Sequence, residues 1–244
     1  MEYRDWSLKQ WTDMFDNIYG EVNQVYTSEQ MWGRVVEKSG RLARDLRKEH
    51  VAARVDGRGR QQGIVTNLPA TFAWLAAFSN RFGSLELMLW DKFPGVCPYC
   101  VVEECGCAAD KHVYEPGERE TKLDVLREDI SQVPKTLYGW QEMFDNIYGK
   151  ANRDHGLGQI GFHLFEELAE VSQAIRIRND EYVRKELADV FAWLMGLTIK
   201  SSDMLGQELR LDDLVWDKYP NECPSCNSSP CGEKIFITES IRAV

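Results

Sequence analysis

The chain of 244 residues lacks any apolar run long enough to cross a bilayer, which excludes a helical integral membrane protein. It is short of positive charge: 29 Lys and Arg against 39 Asp and Glu leave a formal net charge of -10. A protein whose main partner is duplex nucleic acid or an anionic membrane needs a basic field, so neither partner is expected. The opening residues Met1, Glu2, Tyr3, Arg4 and Asp5 are charged and provide no apolar segment of a secretory leader, so a cytoplasmic location is the expectation. Convincing strand alternation is missing, and so is any Glu-x-x-His pair, which removes a ferritin-like di-iron carboxylate bundle from consideration. What remains is a globular protein with 43% hydrophobic residues, ample for a core. Its acidity leaves room for a small anionic substrate, because divalent cations bring phosphates to carboxylates.

The sequence repeats itself. Met14 to Gly20 reads MFDNIYG, and so does Met143 to Gly149, with Trp11 and Trp140 at matching positions ahead of them. Phe72-Ala73-Trp74-Leu75 recurs as Phe191-Ala192-Trp193-Leu194, and Trp90-Asp91-Lys92-Phe93-Pro94 as Trp216-Asp217-Lys218-Tyr219-Pro220. Cys97-x-x-Cys100 is echoed by Cys223-x-x-Cys226. One order of elements therefore runs twice, in units of an ordinary domain size. The expected organisation is a first unit over 1–107, a charged linker over 108–136 with a short helix near Leu123 to Ile130, a second unit over 137–233 and a tail over 234–244. An Arg- and Gly-rich loop from Val51 to Gly63 lengthens the first unit only. The repeat-matched tryptophans read as packing residues, while Trp6 and Trp32 have no counterpart and no assigned role.

Periodicity within a unit is helical. In the second, Phe162, Phe165, Leu168, Ala169, Ser172 and Ile175 recur at three- and four-residue intervals, and Asn179-Asp180 closes that helix. A further helix from about Glu181 to Lys200 carries Val183, Leu187, Val190, Leu194 and Leu197 on one face. Each unit reads as an antiparallel helical hairpin with flanking helices, and two units as an all-α pseudo-symmetric bundle, the covalent equivalent of a homodimer.

The spacing of His163, Glu166, Glu167 and Glu170 places them in one stripe, and Glu186 and Asp189 share a face of the next helix. Antiparallel packing can join the two sets. Carboxylates at i and i+4 repel, and no basic residue stands four residues after any of the three glutamates in the stripe. Such a cluster suits a hard cation, Mg²⁺ or Mn²⁺; a solvated acidic face is the alternative. The first unit is an internal control: aligned through the repeats, Glu37, Lys38, Arg41, Asn67 and Ala70 stand where Glu166, Glu167, Glu170, Glu186 and Asp189 stand in the second. Glu37 with Arg41 at i+4 is an ion pair that an exposed helix accommodates without a metal.

Glu166-Glu167-x-x-Glu170 followed by Glu186-x-x-Asp189 resembles the E-E-x-x-E … E-x-x-D signature of the MazG-like all-α nucleoside triphosphate pyrophosphohydrolases. The resemblance covers about Trp140 to Gly232, and the first unit shares its framework with the acidic positions erased. It implies hydrolysis of a ribo- or deoxynucleoside triphosphate to monophosphate and pyrophosphate, at one site per chain. It also implies Glu167, Glu170, Glu186 and Asp189 as main metal ligands, with Glu166 a further ligand or the group that orients water. Glu166 and Glu167 are then the candidate catalytic residues. In dimers of the family the substrate cleft borders the partner subunit, a wall that the first unit is expected to supply here. His163, Lys200 and Lys218 are candidate substrate contacts, each equally readable as an ordinary structural or surface residue. A regulatory or scaffold protein that binds nucleotide without turnover is the competing function. A homodimer of such pseudo-dimers is compatible with either.

The seven cysteines sit at the two unit ends: Cys97, Cys100, Cys105 and Cys107, then Cys223, Cys226 and Cys231. The first spacing offers four thiolates to one tetrahedral Zn²⁺. The second has Glu233 where a fourth cysteine would fall, so it is completed by another ligand or empty. Disulfides are the alternative, one that a reducing compartment disfavours. Cys97-Pro98-Tyr99-Cys100 also spells a redox motif, which would need to open a helix in a βαβ unit.

Overall fold

The computed structural model describes residues 2–52, 61–107, 114 and 116–232. The described residues are helical and contain no strand. The first unit gives α1 (Leu8–Asn23), α2 (Ser28–Ala52), α3 (Gln61–Ser79) and α4 (Leu85–Lys92). A connecting helix α5 (Pro116–Glu128) follows, and the second unit gives α6 (Leu137–Asp154), α7 (Leu157–Arg176), α8 (Asp180–Leu205) and α9 (Leu211–Lys218). The helix in the connecting segment thus begins earlier than the apolar residues near Leu123 suggest. Most of the expected Val51–Gly63 loop, residue Glu233 and the tail lie outside the described residues.

Local sequence explains the ends. Ser7 caps α1 by accepting from the Gln10 amide while the Gln10 side chain accepts from the Ser7 amide, a reciprocal capping box. Asn179 breaks the α7–α8 hairpin and caps α8 through a 3.0 Å bond from the Tyr182 amide. α8 runs five residues past Lys200 and stops at Gly206, whose φ of 60° suits a residue without a β-carbon.

The hairpins α2–α3 and α7–α8 pack against each other through α2 with α7 and α3 with α8. Phe72 and Phe191, repeat-matched and both fully buried, meet at 6.2 Å between ring centroids where α3 crosses α8. The α8 face named from sequence is buried throughout: Val183, Leu187, Val190, Leu194 and Leu197. On α7 Leu168 and Ile175 of the stripe read from sequence are buried, but the rest of the buried stripe is Leu157, Ile160, Leu164 and Val171. Phe162 is 72% exposed. Both sets have helical spacing, and only packing decides between them. Trp32, without a counterpart, is buried and donates its indole N–H to the Leu168 carbonyl (3.2 Å) and Ser172 Oγ (2.9 Å), tying α2 to α7.

The ends of the two units are exchanged. α4 packs on α8 as well as on α1, and α9 packs on α3 as well as on α6. The contacts correspond pair by pair. Trp90 meets Trp140 edge-on at 6.5 Å, and Trp216 meets Trp11 at 6.3 Å. Phe93 meets Phe144 at 5.2 Å, and Tyr219 meets Phe15 at 5.3 Å. The Cys105 amide donates to the Ile147 carbonyl at 2.8 Å, and the Cys231 amide to that of Ile18 at 2.7 Å. Each cysteine-rich end therefore lies on the opposite unit, and one continuous core includes residues of both.

Candidate active site

α7 presents Glu167 and Glu170, and α8 presents Glu186 and Asp189 across the hairpin groove. One oxygen each from Glu167, Glu186 and Asp189 lies within 4.8 Å of the others. Glu186 is buried at 6% exposure because it stands among the core positions of α8, between Val183 and Leu187. Glu170 lines the same cavity, of about 370 Å³, and accepts a 3.0 Å bond from the Tyr182 hydroxyl. Glu167 accepts from the Trp193 indole N–H at 3.3 Å. That volume falls in the range of small-molecule sites.

Lys92, the last residue of α4, closes the cluster from the first unit. Its ammonium pairs with Asp189 and donates to the Lys185 carbonyl at 3.3 Å. The exchange of end helices puts it there, and the signal for it in the sequence was the repeated Trp-Asp-Lys motif. Of that pair, sequence reasoning favoured Lys218. By the same exchange Lys218 lies on the first unit, donating to the Thr66 carbonyl at 2.8 Å, the position that matches Lys185. Lys218 is thus not part of the acidic cavity. Nor is Lys200, which donates to the Arg153 carbonyl at 2.7 Å and lines a separate apolar cavity with Phe162 and Met204.

Glu166 also stands apart: its side chain is 66% exposed and lies 2.7 Å from His163 Nδ1. A residue next to Glu167 in a helix points about 100° away around the axis, so the two cannot face one point equally. His163 stacks on Trp193 at 4.5 Å between centroids and sits behind the indole that holds Glu167.

Burial pushes the Glu186 carboxyl up to about 7; the Lys92 ammonium opposes this, and Glu170 and Glu167 add to it. Glu167 is raised mainly by burial as well, against the indole bond. Lys92 is drawn down by burial in spite of its acidic neighbours. Four carboxylates facing one ammonium in a half-buried cavity repel, and a divalent cation with oxygen ligands relieves that repulsion, so this donor set fits Mg²⁺ or Mn²⁺.

The matching surface of the first unit satisfies itself. Glu37 is paired with Arg34 at 3.0 Å and Arg41 at 2.6 Å. Asn67, in the place of Glu186, donates to Asp45 at 2.7 Å and to the Gly63 carbonyl at 2.9 Å.

The cysteines form two groups, Cys97 with Cys100, Cys105 and Cys107, and Cys223 with Cys226 and Cys231. In each group one Sγ per residue lies within 4.8 Å of the rest. Cys97, Cys100, Cys105 and Cys107 form no disulfide. Cys97 to Cys100 is a tight turn after α4, closed by the Val101 amide on the Cys97 carbonyl at 2.8 Å. It opens no helix, so the redox motif lacks its required setting.

The described residues thus form an all-helical protein of paired hairpins, with carboxylates converging from two adjacent helices. Residues 159–226, which contain every candidate carboxylate, match the family model of the MazG nucleotide pyrophosphohydrolase domain. No curated protein matches the chain, and no solved structure does.

Proposed function

We propose that the chain hydrolyses ribo- or deoxynucleoside triphosphates to monophosphate and pyrophosphate, at one metal-dependent site per chain. The observation that carries this reading is the convergence of Glu167, Glu170, Glu186 and Asp189 on one cavity, closed by Lys92. Those carboxylates would hold Mg²⁺ or Mn²⁺, a cation that when bound neutralises phosphate charge and makes a water more acidic.

The chain's own residues do the rest. Trp193 and Tyr182 fix Glu167 and Glu170 by hydrogen bonds, so the carboxylates are arranged before substrate arrives. Lys92 neutralises Asp189 and provides the positive charge within the cavity that a triphosphate oxygen meets. Hydrolysis adds water across the α–β anhydride. The new P–O bond forms at the α phosphorus, the bridging bond breaks, pyrophosphate leaves, and the water proton passes to a carboxylate or to solvent. Glu166 faces His163 and needs no part in this scheme.

The experiment is an assay of pyrophosphate and monophosphate from a panel of nucleoside triphosphates with Mg²⁺ or Mn²⁺. Release of both products is expected, with loss in Glu167→Gln and Asp189→Asn. No release from any triphosphate, or equal release by these variants, rejects the reading. Nucleotide binding without release would favour the regulatory function instead.

A further inference from the structure

The cavity that holds the carboxylates is walled on one side by the first unit's cysteine cluster: Cys97, Tyr99, Cys105 and Cys107 line it together with Glu167 and Asp189. Tyr99 lies at the apex of the Cys97–Cys100 turn and is 64% exposed at the cavity mouth. The wall is anchored below to α6, where the Cys105 amide bonds the Ile147 carbonyl and Cys97, Cys100 and Ile147 form a buried group of their own. It is joined in sequence to Lys92 through Phe93. No helix or strand stiffens the stretch from Phe93 to Cys107, so hydrogen bonds and the cysteine cluster are what define its shape.

We propose that the four thiols of Cys97, Cys100, Cys105 and Cys107 hold one zinc ion that shapes the substrate wall of the opposite unit's site, and that Tyr99 on this wall contacts the nucleotide's base. Four sulfur atoms gathered around one point in a turn, all unpaired as disulfides, are the donor set of a closed tetrahedral zinc site. Such an ion constrains loop segments that would otherwise sample many conformations, and here these segments carry both Tyr99 and the approach to Lys92. Lys92, and a divalent cation that the carboxylates would hold, would bring the phosphates to that end of the cavity, which leaves the mouth, where Tyr99 offers an aromatic face, for the base. The assignment of Tyr99 rests on the proposed reading of the cavity as a nucleoside triphosphate site, and the kinetic readout on turnover there; the zinc arm rests on neither.

The test compares the wild type with Cys107→Ser, Cys226→Ser, Tyr99→Ala and Tyr99→Phe. Zinc per chain is measured by elemental analysis, helicity by circular dichroism, Mn²⁺ binding by electron paramagnetic resonance, and binding of an α,β-imido triphosphate by calorimetry. Cys107→Ser should lose about one zinc equivalent that Cys226→Ser keeps, and should bind the analogue about tenfold or more weakly. Tyr99→Ala should keep its zinc and its Mn²⁺ affinity, weaken the analogue about tenfold, and raise KM far more than it lowers kcat, as loss of one stacking contact does. Tyr99→Phe should restore binding. If Cys107→Ser loses helicity, chelation of zinc from the wild type and the Tyr99 pair decide the matter. Absence of zinc from the wild type overturns the inference, as does zinc loss without change in analogue binding, or a Tyr99→Ala variant that binds normally. If the zinc and binding results hold while no triphosphate is turned over, the pyrophosphohydrolase reading fails and this inference stands.

Discussion

Lys92 and Asp189 form an ion pair between the end of α4 in the first unit and the middle of α8 in the second. Its repeat-matched partner on the other side is Lys218 against Ala70, where no carboxylate remains, and Lys218 settles on the Thr66 carbonyl. One side of the molecule has kept both halves of the pairing, and the other has kept only the lysine.

This asymmetry sets the first prediction. Lys92→Ala should lower kcat/KM by about 10- to 100-fold, the cost of one charge-assisted hydrogen bond of about 1.5–3 kcal/mol. Lys218→Ala, at the matching position, should stay within about twofold. Steady-state kinetics of the two variants check it, and equal losses would contradict it.

The carboxylates should separate in the same way. Glu186→Gln and Asp189→Asn should lose at least about 100-fold in kcat, as removal of a metal ligand does. Glu166→Gln should retain most activity, because its exposed carboxylate lies on His163 outside the cluster. A large loss in Glu166→Gln, with metal affinity unchanged, would return it to the role of orienting water.

Among these residues the sequence named the carboxylates that the fold brings together, but not the boundary of the cluster. The helical spacing of Glu167, Glu170, Glu186 and Asp189 follows from local periodicity, and Lys38, Arg41, Asn67 and Ala70 at the matching positions show that only the second unit has all four carboxylates. Which face of α7 is buried could not be read, since Phe162 and Leu164 belong to stripes of equal spacing. Lys92 was missed for a different reason. The sequence order α1 to α4 suggests that each unit closes on itself, whereas α4 and α9 are exchanged, and exchange is a property of tertiary packing alone.

Removal of divalent metal should make stability depend on pH. The Glu186 carboxyl, ordinarily at 4.5, is held up at about 7 in the folded chain. Between those values the native state binds more protons than the unfolded state, so the contribution of this group is complete below about 4.5 and is lost as pH rises through 7. The Tm of EDTA-treated protein should therefore carry a term that falls from pH 5 to pH 8. Glu186→Gln should flatten that fall, and Mg²⁺ should raise Tm most at the alkaline end. An identical pH profile for wild type and Glu186→Gln would contradict it.

The shared core makes a prediction about cooperativity. Trp32→Phe removes the indole bonds to Leu168 and Ser172 and should cost about 1–2 kcal/mol in urea unfolding. Both units should still unfold in one transition, because buried residues of each belong to one cluster. Two separated transitions would show that the units are independent.

The central claim is a single site per chain, built on the carboxylates of the second unit and completed by a lysine of the first. The measurement that bears on it most directly is the stoichiometry of an α,β-imido triphosphate bound in the presence of Mg²⁺, determined by calorimetry. One equivalent per chain is predicted, abolished in Asp189→Asn, weakened in Lys92→Ala and unaltered in Lys218→Ala. Two equivalents per chain, or one that survives Asp189→Asn undiminished, would contradict it.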